Sequence, residues 1–76
     1  MKELITFIAR SLVDDPNAVT VTERQEEDTV ILELAVAKPD LGKVIGKQGR
    51  TARAMRTLLA TAAGKENKGS RMDILE

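Results

Sequence analysis

The stretch that decides the fold runs Val44-Ile45-Gly46-Lys47-Gln48-Gly49-Arg50. Two glycines three residues apart join one helical segment to the next, and glycine lets the backbone turn sharply and approach another backbone closely. The amides of this turn, and those of the helix that starts at Arg50, favour an anion. Lys47 projects from the turn, and Lys43, Arg50 and Arg53 lie within about one helical turn of it. The pattern predicts a seat for a phosphate backbone.

The charges of the chain are separated along its length, although the net charge is zero. Residues 1–40 carry four bases and nine acids, whereas residues 41–76 carry eight bases and three acids. Residues 41–65 contain no acid at all, which is unusual for an exposed helical segment. A neutral chain can therefore still present a cationic face. The bases of this segment are Lys43, Lys47, Arg50, Arg53, Arg56 and Lys65.

Composition excludes most kinds of catalysis. The 76 residues make one small domain, residues 1–76, with no His, Cys, Trp or Tyr. Imidazole and thiol chemistry, structural zinc and disulfides are therefore excluded. We expect no enzyme, no cofactor and no metal. No apolar run is long enough for a membrane span, and Glu3 and Arg10 interrupt any signal peptide, so we expect a cytoplasmic protein.

Hydrophobic periodicity predicts a helix and then a hairpin in the first half of the chain. Residues 3–13 have helical spacing, and Asp14-Asp15-Pro16 ends the helix because the residue before proline avoids helical angles. Residues 18–25 and 29–36 alternate as strands around an acidic turn, which predicts an antiparallel hairpin. The predicted inward residues are Leu4, Ile5, Ile8 and Leu12 on the helix and Val30, Leu32, Leu34 and Val36 on the second strand.

The second half is predicted to contain two helices and a last strand. Asp40 is placed to cap a short helix that runs through Ile45. A longer helix covers residues 50–63, Gly64 suits the position after its end, and residues 70–75 alternate as a strand. The predicted inward residues are Leu41, Val44 and Ile45 on the short helix and Ala52, Met55, Leu59 and Ala62 on the long one.

The glycine turn and its neighbours resemble the KH-domain signature, V-I-G-x-x-G followed by a helix, whose loop holds a short run of single-stranded nucleic acid. A helix and a hairpin precede the turn here, and one helix and one strand follow it, which is the type II order. Over essentially all 76 residues the chain resembles the small bacterial single-KH RNA-binding proteins of the KhpA (YlqC) family.

This resemblance implies an α+β fold in the order α-β-β-α-α-β, with a three-stranded mixed sheet packed on one face by helices. It implies a non-catalytic protein that binds single-stranded RNA as an RNA chaperone or post-transcriptional regulator, and a second KH-containing protein of KhpB/Jag type as a hetero-partner. The residues alone do not separate RNA from single-stranded DNA. Pattern and resemblance together give the RNA-binding set Lys43, Ile45, Gly46, Lys47, Gln48, Gly49, Arg50 and Arg53, with Ile45 in the apolar groove wall.

A protein-interaction module is the alternative reading. Beyond its inward stripe, the long helix carries Ala54, Leu58, Ala60 and Ala63, and a helix that is apolar on more than one side is normally covered on both. Ala54 and Leu58 are the predicted interface of a two-fold homodimer. The two functions are compatible, since a dimer would present two RNA grooves.

The turn departs from its family at two positions and differs from competing motifs. Thr51 stands where relatives often have an aliphatic residue, and Ala52 where the general signature has a branched one, so we expect altered packing of the long helix and an intact loop. Compared with the phosphate-binding loop of nucleotide hydrolases, the stretch from Gly42 to Lys47 is one residue short, Gln48 replaces the hydroxyl, and a helix precedes it where a strand is needed. RNA-binding folds that stack bases on aromatic rings are excluded, because Phe7 is the only aromatic residue.

Overall fold

The computed structural model describes residues 1–76 and contains three α-helices, three single-turn 3-10 helices and three strands. The predicted α+β class and the order α-β-β-α-α-β are confirmed, and every predicted element lies within two residues of its observed bounds. No helix combines the length and the apolar character needed to cross a bilayer. The elements are α1 (Lys2–Leu12), β1 (Thr20–Glu26), β2 (Thr29–Ala35), α2 (Leu41–Ile45), α3 (Arg50–Gly64) and β3 (Gly69–Ile74).

The sheet is mixed, with β2 in the middle. β1 pairs antiparallel with β2 from Thr20↔Ala35 to Glu26↔Thr29, across a two-residue turn. β3 pairs parallel with β2 from Thr29↔Gly69 to Leu34↔Ile74. A parallel pair requires the chain to cross back over the sheet, and α2, the glycine turn and α3 form that crossing. The glycine turn therefore lies inside the connection that completes the sheet.

The helices cover one face of the sheet and enclose the core. Val30, Leu32 and Leu34 of β2 are at most 1% exposed and face the helices, as the alternation predicted. They share the core with Ile5 of α1 and with Met55 of α3. Other core residues are Ala9, Val19, Val21, Val44, Leu59 and Met72.

Ile31 is buried on the opposite face of the sheet, where the alternation predicted an exposed position. Its cross-strand neighbours are Arg24 on β1 and Arg71 on β3. Arg24 forms ion pairs with Glu26 and Glu33 on that face. Long arginine side chains bury apolar surface beneath their methylene groups while the charged ends stay in water. The outer face is therefore polar, with one isoleucine covered by its neighbours.

The predicted stripe of α1 is wrong at its end. Ile5 is buried and Ile8 is partly buried, but Leu12 is 39% exposed and Ala9 is fully buried instead. The reason is that α1 stops at Leu12. Val13 follows in an extended conformation and packs on the core in place of Leu12.

The end of α3 also differs from the prediction. Ala63 is fully buried where Ala62 was predicted, and so it does not belong to the outward face. Gly64 is the last helical residue and has no positive φ, because Asn67 takes the left-handed position with φ 58°. The Lys68 amide donates to Ala63 O at 3.0 Å and the Asn67 amide to Gly64 O at 3.0 Å. This pair of bonds is a Schellman motif with asparagine at its left-handed residue.

The register of β2 predicts very different effects at two adjacent positions. Leu32→Ala removes a fully buried side chain and should lower the free energy of unfolding by about 2–5 kcal/mol. Glu33→Ala removes only an ion pair with Arg24 at 3.7 Å on the outer face and should change stability by less than about 1 kcal/mol. Urea unfolding of both variants checks the register. Equal losses would contradict it.

Candidate nucleic-acid interface

The glycine turn has a fixed, unusual backbone. Gly46, Gln48 and Gly49 all have positive φ angles, of 78°, 58° and 74°. The Gly46 amide donates to Gly42 O at 2.9 Å, and the Gly49 amide donates to Gly46 O at 3.1 Å. A left-handed residue other than glycine is uncommon and carries some strain. The turn is thus a defined structure that keeps a glutamine in a conformation it disfavours.

Gly46 is required for two separate reasons. Its φ of 78° and ψ of 170° lie in a region that essentially only glycine adopts. A Cβ on Gly46 would also overlap the side chain of Thr51, while a Cβ on Gly49 would meet open space. The residue at position 51, one of the two departures from the family pattern, therefore packs directly on the turn. Ala52, the other departure, is buried in the α3 stripe.

Three cations surround the turn without any partner. Lys47, Arg50 and Arg53 are exposed, and none of their side chains forms an ion pair or a hydrogen bond in the structure. No side chain caps the N-terminal end of α3, which follows the turn. Unpaired cations beside an uncapped helix start attract anions. The structure brings together these three predicted binding residues.

Lys43 is placed differently from the sequence-based expectation. Its Nζ lies 2.9 Å from Asp14 Oδ2 and 3.5 Å from Asp40 Oδ1, so two carboxylates already neutralise it. Lys43 therefore differs from Lys47, Arg50 and Arg53 in having partners within the chain. Asp40 is only 2% exposed and makes no capping bond to α2, which corrects its predicted role. Its Oδ2 instead accepts the Asp15 amide at 3.1 Å.

These contacts shift two pKa values. Burial of Asp40 acts to raise its pKa, but the amides of Asp15 and Asp14 and the Lys43 ammonium outweigh burial, and the pKa lies below its ordinary value. The hydrogen bond and the charge of Asp14 raise the pKa of Lys43 above its ordinary value. Each group therefore keeps its charge over a wider pH range than usual.

A groove of about 490 Å³ runs between α3 and β3. β3 is an edge strand, and on the side of β2 the Gly69 amide donates to Asp28 O and the Leu75 amide to Leu34 O, both at 2.8 Å. Every second residue of a parallel strand points its amide and carbonyl groups away from the paired strand, which in β3 is toward the groove. Arg56 confirms that direction, because its Nε donates to Met72 O at 3.1 Å. The groove is lined by Arg53, Arg56, Thr57, Leu59, Ala60, Ser70, Arg71, Met72 and Asp73.

The β3 side of this groove was missed by sequence reasoning. Ile45 is 36% exposed, so its predicted inward position on α2 is wrong, whereas its place in the groove wall stays a prediction. Arg56 was counted only as one base among six. Three bases in the sequence could have indicated the groove. Arg53 and Arg56 are one helical turn apart, and Arg71 lies on the only strand that follows them.

The outward side of α3 carries the predicted dimer residues. Ala54 is exposed and Leu58 is 48% exposed. They line a shallow hollow together with Arg50, Arg53 and Thr57. This hollow and the groove share Arg53, so the apolar patch borders the cationic surface directly.

The two glycines predict unequal substitution effects. Gly49→Ala should lower the free energy of unfolding by about 1–2 kcal/mol, the penalty of a left-handed alanine. Gly46→Ala should cost more, because its methyl group also overlaps Thr51. The double variant Gly46→Ala/Thr51→Ala should recover part of that difference. Chemical denaturation measures all three, and equal costs at the two glycines would show that the close approach to Thr51 is unimportant.

Comparison with known proteins agrees with this arrangement. The family model described as "KhpA/KhpB, KH domain" matches residues 2–74. A protein named "RNA-binding protein KhpA" from Clostridium perfringens is 55% identical over 75 residues, which cover 99% of this chain and all of that relative. Relatives of the same name are 49% identical in Chlamydia pneumoniae, over all of this chain and 97% of the relative, and 51% identical in Treponema pallidum, over 99% and 94%. No solved structure matches the chain. The chain therefore belongs to the KhpA/KhpB KH-domain family.

Proposed function

We propose that this chain is a non-catalytic protein that binds single-stranded RNA, and that residues 1–76 act as one KH domain. The observation that carries the proposal is the set of unpaired cations Lys47, Arg50 and Arg53 around a rigid glycine turn, next to a groove with an open strand edge. Relatives that match over almost their whole length are named RNA-binding proteins.

The turn binds the sugar-phosphate backbone of the RNA. Residues Gly46 to Gly49 hold the phosphates, with the Lys47 ammonium and the amides other than those of Gly46 and Gly49, which bond within the chain, as donors. Arg50 and Arg53 extend the cationic surface along the first two turns of α3. Lys43 is left out of this set because Asp14 and Asp40 occupy its ammonium. Ile45 is proposed to give apolar contact at the entrance, since it is partly exposed immediately before the turn.

The groove between α3 and β3 accommodates the bases. Leu59, Ala60 and Met72 give it apolar surface, and the free backbone groups of β3 can hydrogen-bond to base edges. Arg56 and Arg71 add donors at the sides. A site of this size holds about four nucleotides, and its contacts to backbone dominate, so sequence specificity is low. Such a binder acts as an RNA chaperone or a post-transcriptional regulator in the bacterial cytoplasm.

A second function, homodimerisation, is favoured by the exposed Leu58 beside Ala54. Because this patch borders Arg53, a two-fold dimer would join two cationic surfaces and raise avidity for a longer RNA. The same patch could accept a KH domain of KhpB/Jag type. A pure interaction module without RNA binding is disfavoured by the six bases and no acids of residues 41–65.

A loop variant tests the clamp. Lys47→Asp with Gln48→Asp keeps both glycines, and aspartate tolerates the left-handed position. The variant should retain its circular dichroism spectrum and melting temperature but lose RNA binding, because two anions would face the phosphates. Crosslinking of nucleic acid in cells, with the wild type alongside, measures the loss. Undiminished recovery of RNA by the variant would contradict the clamp.

Salt dependence tests the phosphate contacts. Neutralisation of about three phosphates predicts a slope of log K against log salt of roughly −2 for a single strand. Arg53→Ala should make the slope shallower by a fraction of a unit and weaken all sequences alike. Arg24→Ala is the matched control, because Arg24 lies on the outer sheet face in ion pairs with Glu26 and Glu33. An equal effect of both variants would place the binding face elsewhere.

Sedimentation tests the dimer. Wild-type protein should sediment as a dimer at micromolar concentration, and Leu58→Asp should give a folded monomer with weaker RNA avidity, because it puts a charge into the interface. Phe7→Asp is the matched control, since Phe7 is also an exposed apolar side chain, on α1, and should leave the dimer intact. A wild type that stays monomeric at high concentration would contradict the dimer.

A further inference from the structure

The short helix α2 is held in place by few contacts, although it leads directly into the glycine turn. It has five residues, and a helix of that length has no stability of its own in water. Val44 is its only fully buried side chain, while Leu41 is partly buried and Ile45 is exposed. The orientation of α2 therefore depends on what fixes its two ends.

The polar contacts at the start of α2 reach a distant part of the chain. The carboxylate of Asp40, the residue that precedes α2, accepts the Asp15 amide at 3.1 Å and is 2% exposed. Lys43, one turn later, bonds to Asp14 Oδ2 at 2.9 Å and to Asp40 Oδ1 at 3.5 Å. Both contacts join α2 to the segment that follows α1. The contact made by the buried Asp40 carboxylate is the more rigid of the two, because Asp14, the other carboxylate, is 82% exposed.

The C-terminal end of α2 leads into the glycine turn with no residue in between. The Gly46 amide donates to Gly42 O, which belongs to α2, and Gly46 lies against Thr51 at the start of α3. A tilt of α2 about its N-terminal end would therefore displace Gly46 and the residues that follow it.

We propose that Asp40 is the positioning residue of the RNA clamp: its buried carboxylate fixes α2 on residues 14–15 and thereby sets where the Gly46–Gly49 turn meets the phosphates. Lys43 is the counter-charge of Asp40 in this arrangement and touches no RNA. The proposal rests on the RNA-binding function proposed above, and it assigns a role to a residue that lies outside the groove.

A matched pair of variants separates the effect of displacing the glycine turn from the effect of changing the net charge. Asp40→Asn and Asp14→Asn each remove one negative charge from the same cluster, so both change long-range attraction for RNA in the same direction. Asparagine at position 40 weakens both contacts of the carboxylate: its neutral oxygen accepts the Asp15 amide less strongly, and its NH2 group replaces the oxygen that pairs with Lys43. For a short fluorescein-labelled poly(U) oligonucleotide, Asp40→Asn should bind about 3–10-fold more weakly than wild type. Asp14→Asn should bind as tightly as wild type or more tightly.

The salt slope distinguishes a positioning role from a phosphate contact. Asp40→Asn and Lys43→Met should both weaken binding at an unchanged slope, because neither removes a group that touches RNA. A direct contact by Lys43 would make the slope shallower by about 0.7 in Lys43→Met. That result, or equal affinities of Asp40→Asn and Asp14→Asn, would overturn the proposal.

Amide hydrogen exchange without RNA keeps the test independent of the proposed function. Asp40→Asn should speed exchange severalfold in α2 and the Gly46–Gly49 turn, with the β2 core unchanged, whereas Asp14→Asn should not. If wild type binds no oligonucleotide, the RNA-binding function is wrong, and exchange alone decides the positioning. If Asp40→Asn does not fold, Lys43→Met decides: faster exchange in the turn supports the proposal, and unchanged exchange overturns it.

Discussion

Gly46 lies so close to Thr51 that the chain can carry no side chain at this point. That approach brings the end of α2 against the start of α3 and forces the reversal between them into four residues. Three of the four have positive φ angles, so the turn cannot relax into a longer or looser loop without losing its hydrogen bonds. The uncapped start of α3 and the exposed Lys47 are consequences of this geometry. The groove depends on it as well, because the turn fixes where α3 begins above β3.

The separation of charge along the chain becomes a separation in space. Some acids of the first half of the chain pair with bases, as Glu33 does with Arg24 on the neighbouring strand and Asp14 with Lys43 on α2. No acid lies within α2, the turn or α3 to pair with Lys47, Arg50 or Arg53. The chain therefore leaves Lys47, Arg50 and Arg53 unpaired together beside the turn while its net charge stays at zero. A protein of this kind attracts polyanions locally and has little long-range field.

Sequence reasoning predicted the elements well because their signals are local. The alternation in β2 and the glycine spacing are properties of short windows, and both match the structure. The predictions that were wrong concern alternatives that a local sequence pattern cannot distinguish. Ala62 and Ala63 are identical side chains at i+3 and i+4 from Leu59, and only packing decides which one is buried. Asp40 carries the ordinary signature of a helix cap, but its carboxylate bonds to an amide 25 residues away.

The candidate site also divides into a part that local sequence indicates and a part that depends on long-range packing. The half proposed to bind phosphates lies in one continuous stretch, so sequence could group Lys47, Arg50 and Arg53 around the turn. The half proposed to bind bases includes β3, whose position next to α3 depends on the strand order of the sheet. The contact of Lys43 with Asp14 could not be predicted, because Asp14 is 29 residues away in sequence. Long-range partners of this kind leave no periodic signal.

The parallel pairing of β2 and β3 has a consequence for how the chain tolerates change. Because the crossing between these strands contains α2, the turn and α3, all residues proposed to touch RNA fall in one uninterrupted span from Ile45 to Asp73. The first 28 residues contribute a helix and an edge strand to the support beneath that span. A substitution there can reach the RNA surface through the core or through residues 14–15, and by no direct contact. The two parts of this small chain thus vary under separate constraints, one set by packing and the other by the shape of a nucleic-acid strand.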